Sequence, residues 1–405
     1  MGQVISIERD FAMRTKRSVL KSRVKPCILI PFVAFLCLAA NGMWFETPAS
    51  AGTLAVKGVR TDKPEWRPGG NVAITFRLTA DANVTVDIYS PDYDPVRRLV
   101  TAGRMFAGTN TVFWDGRDDR GGVVPNEAYL FTLQAEDGTG QKVLYDPTRY
   151  SGGKVCHVAL KSLDRAGGNA DVTYSVPSKA RIRIRAGIHN GPLLKTIMDW
   201  TPVLPGEYTQ PWDGMDETGR IRLRDNPNAH VFVEAFTLPD NTILVKGSGD
   251  NYPEYHRELK KNAVRTEGGL SYVTVRRATL AREDEDLSSS YLGGEFTDRS
   301  PRFVVYEEQD RTVGLAGKDV ITVSGDVPLI LEVAPESIEN FNEFRYEIVV
   351  FVDDQRFDEE ENAYSPYTYI LTTGALRNGE HRVTMNLVGL DGQVGSYSFV
   401  INVNN

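Results

Sequence analysis

The sequence predicts an all-β protein made of β-sandwich modules, and three observations predict it. Trp114-Asp115-Gly116 and Trp212-Asp213-Gly214 lie 98 residues apart, and the same offset carries Gly108, Asp118 and Gly121 onto Gly206, Asp216 and Gly219. It also carries Arg67, Gly69, Gly70 and Asn71 onto Arg165, Gly167, Gly168 and Asn169. A period near 100 residues is far too long for a solenoid unit and fits a small sandwich. Short runs of alternating apolar and polar residues, divided by turn residues, supply the second observation. The third is composition: 36 Gly, 21 Pro, 17 Tyr and 17 Phe in 405 residues favour turns and strands over helix.

In chain order, residues 1–51 read as a secretory signal peptide. Arg14, Lys16, Arg17, Lys21, Arg23 and Lys25 precede an apolar stretch of 14 residues, Cys27 to Ala40, and Ala49-Ser50-Ala51 supplies a small-x-small cleavage pattern. The stretch is shorter than the roughly 20 residues of a spanning helix, which favours a cleaved signal over an anchor. Met13 is an alternative start, and Leu36 is too bulky for a lipoprotein site at Cys37. Cleavage leaves 39 basic and 51 acidic side chains, a net charge of −12. That balance argues against nucleic acid or an anionic membrane as partner and suits an exported protein, periplasmic or further out, with no membrane insertion after cleavage. Cys156 is then the one cysteine left, so no intramolecular disulfide forms. It reads as a small buried hydrophobe beside Val155 and Val158, with an intermolecular bridge as the alternative.

The first module spans 52–146. Val72, Ile74, Phe76 and Leu78 alternate, Asp81-Ala82-Asn83 turns, and Val84, Val86 and Ile88 alternate again; Leu99-Val100, Thr111–Trp114 and Tyr129–Ala135 supply further strands. The second module spans 151–246. The offset carries Ile74, Phe76, Leu78, Val84, Val86 and Leu99 onto Val172, Tyr174, Val176, Ile182, Ile184 and Ile197, so the inward positions stay apolar or aromatic. It fails after Arg220, where Arg222–Ala229 is longer than its counterpart, before a last strand at Val231–Phe236. Residues 247–300 read as a linker or a partly ordered extension: Asn251–Asn262 is polar, Tyr272–Val275 is a possible strand, and Glu283–Asp286 and Ser288–Ser290 are solvated. The third module, 301–405, offers strands at Val320–Val323, Leu329–Val333, Glu347–Val352, Tyr367–Thr372, Arg382–Leu387 and Tyr397–Val403.

The Trp-Asp-Gly turns carry several carboxylates, yet they lack the alternate oxygen positions and closing Glu of a helix-loop-helix calcium loop. The simpler reading is structural. Trp114 and Trp212 plug the core, Asp115 and Asp213 cap backbone amides, and Gly116 and Gly214 supply positive φ.

With these motifs in place, both modules resemble the immunoglobulin-like domain of the FlgD family, the flagellar hook-capping scaffold. The resemblance rests on Val84-Thr85-Val86-Asp87-Ile88, Gly108, Trp114-Asp115-Gly116, Asp118, Gly121 and Tyr129, and on Ala180–Ala186, Gly206, Trp212-Asp213-Gly214, Asp216 and Gly219. It implies tandem immunoglobulin-like β-sandwiches. A hook-capping role is not implied, because the cleaved signal peptide departs from that family's pattern. The third module is similar to bacterial Ig-like domains found beside secreted enzymes and adhesins, through Val350-Phe351-Val352-Asp353-Asp354 and Asn378-Gly379-Glu380-His381.

Candidates for chemistry are sparse. His157, His189, His230, His256 and His381 stand at no metal-ligand spacing with Cys or another His, and His189 reads as a loop residue and His381 as part of a strand-entry turn. No haem, nucleophile-elbow or phosphate-loop motif is present. Asp353, Asp354, Asp358, Glu359, Glu360 and Glu361 form the densest acidic run. A solvated hairpin is its default reading, and Asp353, Asp354 and Asp358 are the candidates for weak calcium binding. No cofactor and no catalytic residue is expected. The sequence therefore points to an exported non-enzymatic scaffold that binds envelope or extracellular proteins. One alternative is a carbohydrate-binding or adhesive accessory using Tyr364, Tyr367 and Tyr369, and another is a hydrolase whose carboxylate pair the sequence hides.

Overall fold

Alternation along the chain builds the first core. The computed structural model describes residues 53–164, 170–266, 299–343, 345–389 and 392–405. The expected signal peptide, the repeated residues Arg165, Gly167, Gly168 and Asn169, the strand at 272–275 and the runs at 283–290 lie outside the described residues. Strands β1 (Val56–Thr61), β3 (Val72–Leu78) and β6 (Gly108–Trp114) pair antiparallel in the order β1-β3-β6. The facing sheet contains β4 (Ala82–Tyr89), β5 (Pro95–Met105) and β7 (Glu127–Asp137) in the order β7-β4-β5, with β8 (Lys142–Tyr145) pairing β7. Between the sheets Phe76, Trp114, Tyr129 and Phe131 are fully buried, together with Trp66 from the short β2 (Glu65–Trp66).

The second sandwich repeats this order. Strands β9 (Ala159–Asp164), β10 (Asp171–Val176) and β13 (Gly206–Gln210) form one sheet, ordered β9-β10-β13. Strands β11 (Ala180–Ile188), β12 (Leu193–Val203) and β14 (Ala229–Thr237) form the other, ordered β14-β11-β12. The repeat reaches single contacts. The Thr75 and Thr111 hydroxyls meet at 3.1 Å, and their counterparts Thr173 and Thr209 meet at 3.0 Å. The longer loop at 222–229 holds a 3-10 turn, Leu223–Asp225, which buries Leu223 in the core.

The chain then returns to the first sandwich. Strand β15 (Ile243–Val245) pairs antiparallel with β7 and parallel with β2, and Ile243 and Val245 enter the first core. Sequence alone set the second module's end at 246, but residues 243–245 belong to the first sandwich's sheet. The short apolar run gives no sign of which sheet it joins. Helix α1 (Tyr252–Thr266) follows, inside the stretch expected to be a linker or a partly ordered extension, and rests Tyr255 and Leu259 on the first core.

Strand β7 is buried over its first seven residues, which simple alternation does not foresee. Tyr129, Phe131, Leu133 and Ala135 face the first core, while Ala128 and Leu130 face a second cluster with Tyr89, Tyr93, Trp200 and Leu238. That cluster joins the two sandwiches. At its edge Arg181 of β11 pairs with Glu127 of β7 at 2.6 Å, the side chains 2% and 0% exposed. The Arg181 guanidinium also donates to the Trp200 carbonyl at 3.1 Å, Arg299 reaches Glu127 at 3.4 Å, and Arg183 lies over the Trp200 ring at 4.3 Å.

In the third sandwich, β16 (Phe303–Glu307), β18 (Asp326–Val333) and β21 (Tyr367–Thr372) face a sheet ordered β17-β23-β22-β19-β20. The members of that sheet are β17 (Ile321–Val323), β19 (Tyr346–Val352), β20 (Gln355–Glu360), β22 (Gly379–Gly389) and β23 (Val394–Val403), and a short helix, α2 (Ile338–Glu343), precedes β19. All six expected strands are present; β16 and the charged edge strand β20 are additions. The third sandwich packs on the second. The Asn386 side chain accepts from the Leu193 amide at 2.9 Å and donates to its carbonyl at 2.7 Å, and Arg183 and Arg185 donate to the Gly392 carbonyl at 2.8 and 3.1 Å. The described residues form one packed unit. Among the described residues no helix is long and apolar enough to cross a membrane.

Truncating Arg181 to Ala leaves the buried Glu127 carboxylate with the more distant Arg299 as its cation and is expected to cost about 3 kcal/mol in urea denaturation. Replacing both partners, Arg181→Met with Glu127→Leu, is expected to recover most of that loss; equal destabilisation by the single and double variants would contradict the charge-pair account.

Candidate functional site

The twin Trp-Asp-Gly turns are built alike. The Trp114 indole donates to the Arg117 carbonyl at 3.0 Å, and the Trp212 indole to the Met215 carbonyl at 2.9 Å. Asp115 accepts the Arg117 amide and Asp213 the Met215 amide. Asp118 accepts the amides of Arg120 and Gly122, and Asp216 those of Arg220 and Ile221. Gly116 and Gly214 sit at φ +72° and +73°, a region that disfavours a side chain. Every one of these carboxylates is engaged in holding a turn.

The acidic run of the third sandwich is one hairpin. Asp353 and Asp354, at φ +51° and +67°, form its two-residue turn, and Asp358, Glu359 and Glu360 lie on β20. The three calcium candidates have separate partners. Asp353 contacts His381 Nδ1 at 2.7 Å and accepts the Arg382 amide, Asp354 pairs with Arg382, and Asp358 accepts the Tyr369 hydroxyl at 3.0 Å. His381 Nε2 faces the Arg377 carbonyl at 2.8 Å. Two acceptors call for two N–H donors, so this contact with Arg377 and then Asp353 raise the imidazole pKa. The expected tyrosine row is broken: Tyr364 is exposed with its ring edge against Tyr367, but Tyr369 is buried. Cys156 is buried 3.4 Å from the Ser178 hydroxyl, and the His189 and His230 rings lie 5.4 Å apart.

Sequence reasoning missed one cluster. The β4–β5 turn, Ser90-Pro91-Asp92-Tyr93-Asp94, meets helix α1. Asp92 and Asp94 are 6% and 2% exposed. The Asp94 carboxylate lies 2.7 Å from His256 Nδ1, and Asp92 lies 3.5 Å from the same nitrogen. Tyr252, one turn earlier on α1, donates its hydroxyl to Asp92 at 2.6 Å. Burial, followed by the charges of Asp92 and Asp94, pushes the Tyr252 hydroxyl pKa well above its ordinary value, so it stays a donor. The Ser90 hydroxyl accepts the Asp92 and Asp94 amides at 3.2 and 3.1 Å. Among the described residues, Asp92, Asp94 and His256 are the group whose ligand atoms gather closely enough to hold a metal ion, all within 4.8 Å of one another. A signal did exist in the sequence. The 98-residue offset carries Ser90, Asp92 and Asp94 onto Ile188, Asn190 and Pro192, so these acids are no requirement of the repeated turn.

Comparison with known proteins finds one family model that matches within the first sandwich. Residues 63–139 match the FlgD Ig-like domain. A solved FlgD structure from P. aeruginosa is 22% identical, with 24% of this chain and 72% of that chain covered and a TM-score of 0.19. The endo-beta-1,4-mannanase from Thermotoga petrophila is 18% identical over 41% of this chain and 26% of that one, with a TM-score of 0.20. The fibronectin(III)-like modules of Clostridium thermocellum CbhA are 10% identical over 86% of this chain and 94% of that one, with a TM-score of 0.18. No curated protein matches the sequence. Likeness at this level carries no activity across.

The twin turns are expected to differ in tolerance. A Cβ on Gly116 would stand 2.2 Å from the buried Trp66 ring, whereas one on Gly214 would meet the Arg224 side chain at 2.8 Å. Gly116→Ala is therefore expected to cost about 3 kcal/mol or more, and Gly214→Ala about 1–2, because the overlap at Gly214 is shallower. Equal loss in thermal or urea unfolding would contradict this. For His381 the raised folded-state pKa gives a stabilising increment that is full below the unfolded value of about 6.5 and is lost as pH rises through the folded value. Wild-type stability minus that of His381→Gln is expected to shrink as pH rises through that window; a difference flat in pH would rule out the charged imidazole.

Proposed function

We propose that the chain is an exported, non-enzymatic scaffold of the bacterial envelope or surface, acting through contacts with envelope or extracellular proteins. On this reading it carries two tandem FlgD-type immunoglobulin-like copies and a bacterial Ig-like sandwich, and it does not cap a flagellar hook. The observation that carries the proposal is the packing of the sandwiches. Glu127–Arg181 joins the first to the second, and Asn386 joins the third to Leu193. Such joints hold surface positions at fixed spacing, which suits a scaffold more than a string of independent binding beads. The engagement of the turn carboxylates in backbone hydrogen bonds supports the same reading.

The first sandwich offers a docking edge. Strands β5 and β6 are terminal in their sheets. Phe106 beside them is 67% exposed and Phe113 on β6 is 62% exposed. The adhesive or carbohydrate-binding alternative rests on Tyr364, with Tyr369 buried out of reach.

Export and interaction are tested separately. Expressed with its N-terminal segment in a bacterial host, the chain is expected to mature to an N-terminus at Gly52 by intact-mass analysis; full-length protein retained in the cytoplasm would refute export. A photo-crosslinking residue at position 106 or 113 is expected to give one discrete adduct with an envelope protein in living cells, and no adduct would refute docking at that edge.

A further inference from the structure

We propose that Asp92, Asp94 and His256 bind one divalent transition-metal cation of the zinc class, which fastens helix α1 to the β4–β5 turn of the first sandwich. The site is independent of the scaffold reading.

The donor set comes first. It consists of one imidazole nitrogen and two carboxylates, supplied by the β4–β5 turn and by helix α1. Calcium prefers six to eight oxygens, whereas zinc takes nitrogen and oxygen ligands in small numbers. Ligand atoms on one tetrahedral zinc, at bonds of about 2.0–2.1 Å, stand about 3.3–3.4 Å apart. The observed separations from His256 Nδ1 are 2.7 Å to Asp94 and 3.5 Å to Asp92, so a small rotation of the Asp94 carboxylate opens the cluster to that spacing. The Tyr252 hydroxyl on Asp92 is the outer hydrogen bond that orients a ligating carboxylate.

Burial points the same way. An Asp–His hydrogen bond needs one carboxylate, yet two are placed here at 6% and 2% exposure. The Tyr252 hydroxyl and the imidazole offset part of the cost of two carboxylates in so dry a place, and a divalent cation bridging them would offset more. The duplicate turn shows that the fold itself does not call for the acids. In the second sandwich the β11–β12 turn makes the same reversal with Ile188, Asn190 and Pro192 at the corresponding places. The acids occur in the copy that meets a helix bearing His256.

The experiment is a calorimetric titration of zinc chloride into the purified, chelator-treated chain, with bound metal measured by mass spectrometry after desalting. One zinc per chain is expected, with a rise in melting temperature. His256→Gln and Asp92→Asn are expected to weaken binding by at least the roughly 10–100-fold that follows loss of even an outer-shell partner. The control is the double variant His189→Ala with His230→Ala, which removes a close pair of imidazoles away from the site and is expected to retain the zinc. Near-ultraviolet circular dichroism checks that each variant keeps its core. Absence of stoichiometric zinc on the wild-type chain, retention of it by a folded His256→Gln, or its loss in the His189/His230 variant would each overturn the assignment. Should His256→Gln fail to fold, Asp92→Asn decides by the same readout.

Discussion

The pairing of Glu127 with Arg181 sets the relation between the first two sandwiches. Both ends are out of water, so the contact tolerates little rearrangement: separation would leave each charge in a dry interface without its nearest partner. It accounts for features that local rules do not. Strand β7 is buried on both faces because one serves the first core and the other the junction. Strand β11 holds Arg181 and Arg183 buried at 1% and 4% exposure, an arrangement unsuited to an isolated sandwich. The chain crosses this junction twice, leaving after β8 and returning at β15, where Leu244 joins the junction cluster. A double crossing with a buried ion pair at its centre restrains orientation far more than a single flexible linker would.

The first two sandwiches share a strand order and put it to two uses. The third sandwich docks on the second through Leu193, Arg183, Arg185 and Arg220, the last donating to the carbonyls of Ala316 and Lys318. In the first sandwich the offset places Pro95, Thr85, Asp87 and Gly122 at those positions. Proline has no amide to give to an Asn386-like side chain, and neither Thr nor Asp can bond a carbonyl with a guanidinium. The first copy is thereby excluded from receiving the third sandwich although its strand order is the same. Shape is shared between the copies, and partner choice lies in a handful of substituted polar groups.

Legibility from sequence followed the range of the forces involved. Alternation, turn glycines and the Trp-Asp-Gly repeat act over a few residues, and they located β3 to β7 of the first sandwich, β10, β11, β12 and β14 of the second and six strands of the third, but not β1, β8 or β9. Strand β20 escaped because Asp358, Glu359 and Glu360 mark it as loop by composition, while edge position lets a strand carry such charge. Strand β15 escaped because three apolar residues do not encode a sheet, and its partner β7 lies more than a hundred residues earlier. Helix α1 was hidden by polar composition: Tyr255 and Leu259 rest on the first core, while Tyr252 turns to the acids of the β4–β5 turn. The cluster around His256 shared that fate, since its members are adjacent only after β15 carries the chain back.

The two equivalent turns, β4–β5 and β11–β12, each receive a segment that arrives later in the chain. Helix α1 reaches the first through Tyr252 and His256. The third sandwich's hairpin reaches the second, where a Cβ on Gly191 would stand 2.9 Å from the Asp354 carbonyl. A sandwich core constrains its inward side chains heavily and its end loops very little, so a duplicated domain can change its loops without loss of fold. One copy filled the turn with buried acids and the other with a close-fitting glycine, and each choice suits the chemistry of what arrives: a histidine-bearing helix in the first case, a backbone carbonyl in the second. The same end of the template has thus become an attachment point twice, by unrelated means, which is the behaviour of a scaffold whose specificity lies at its ends and not in its sheets.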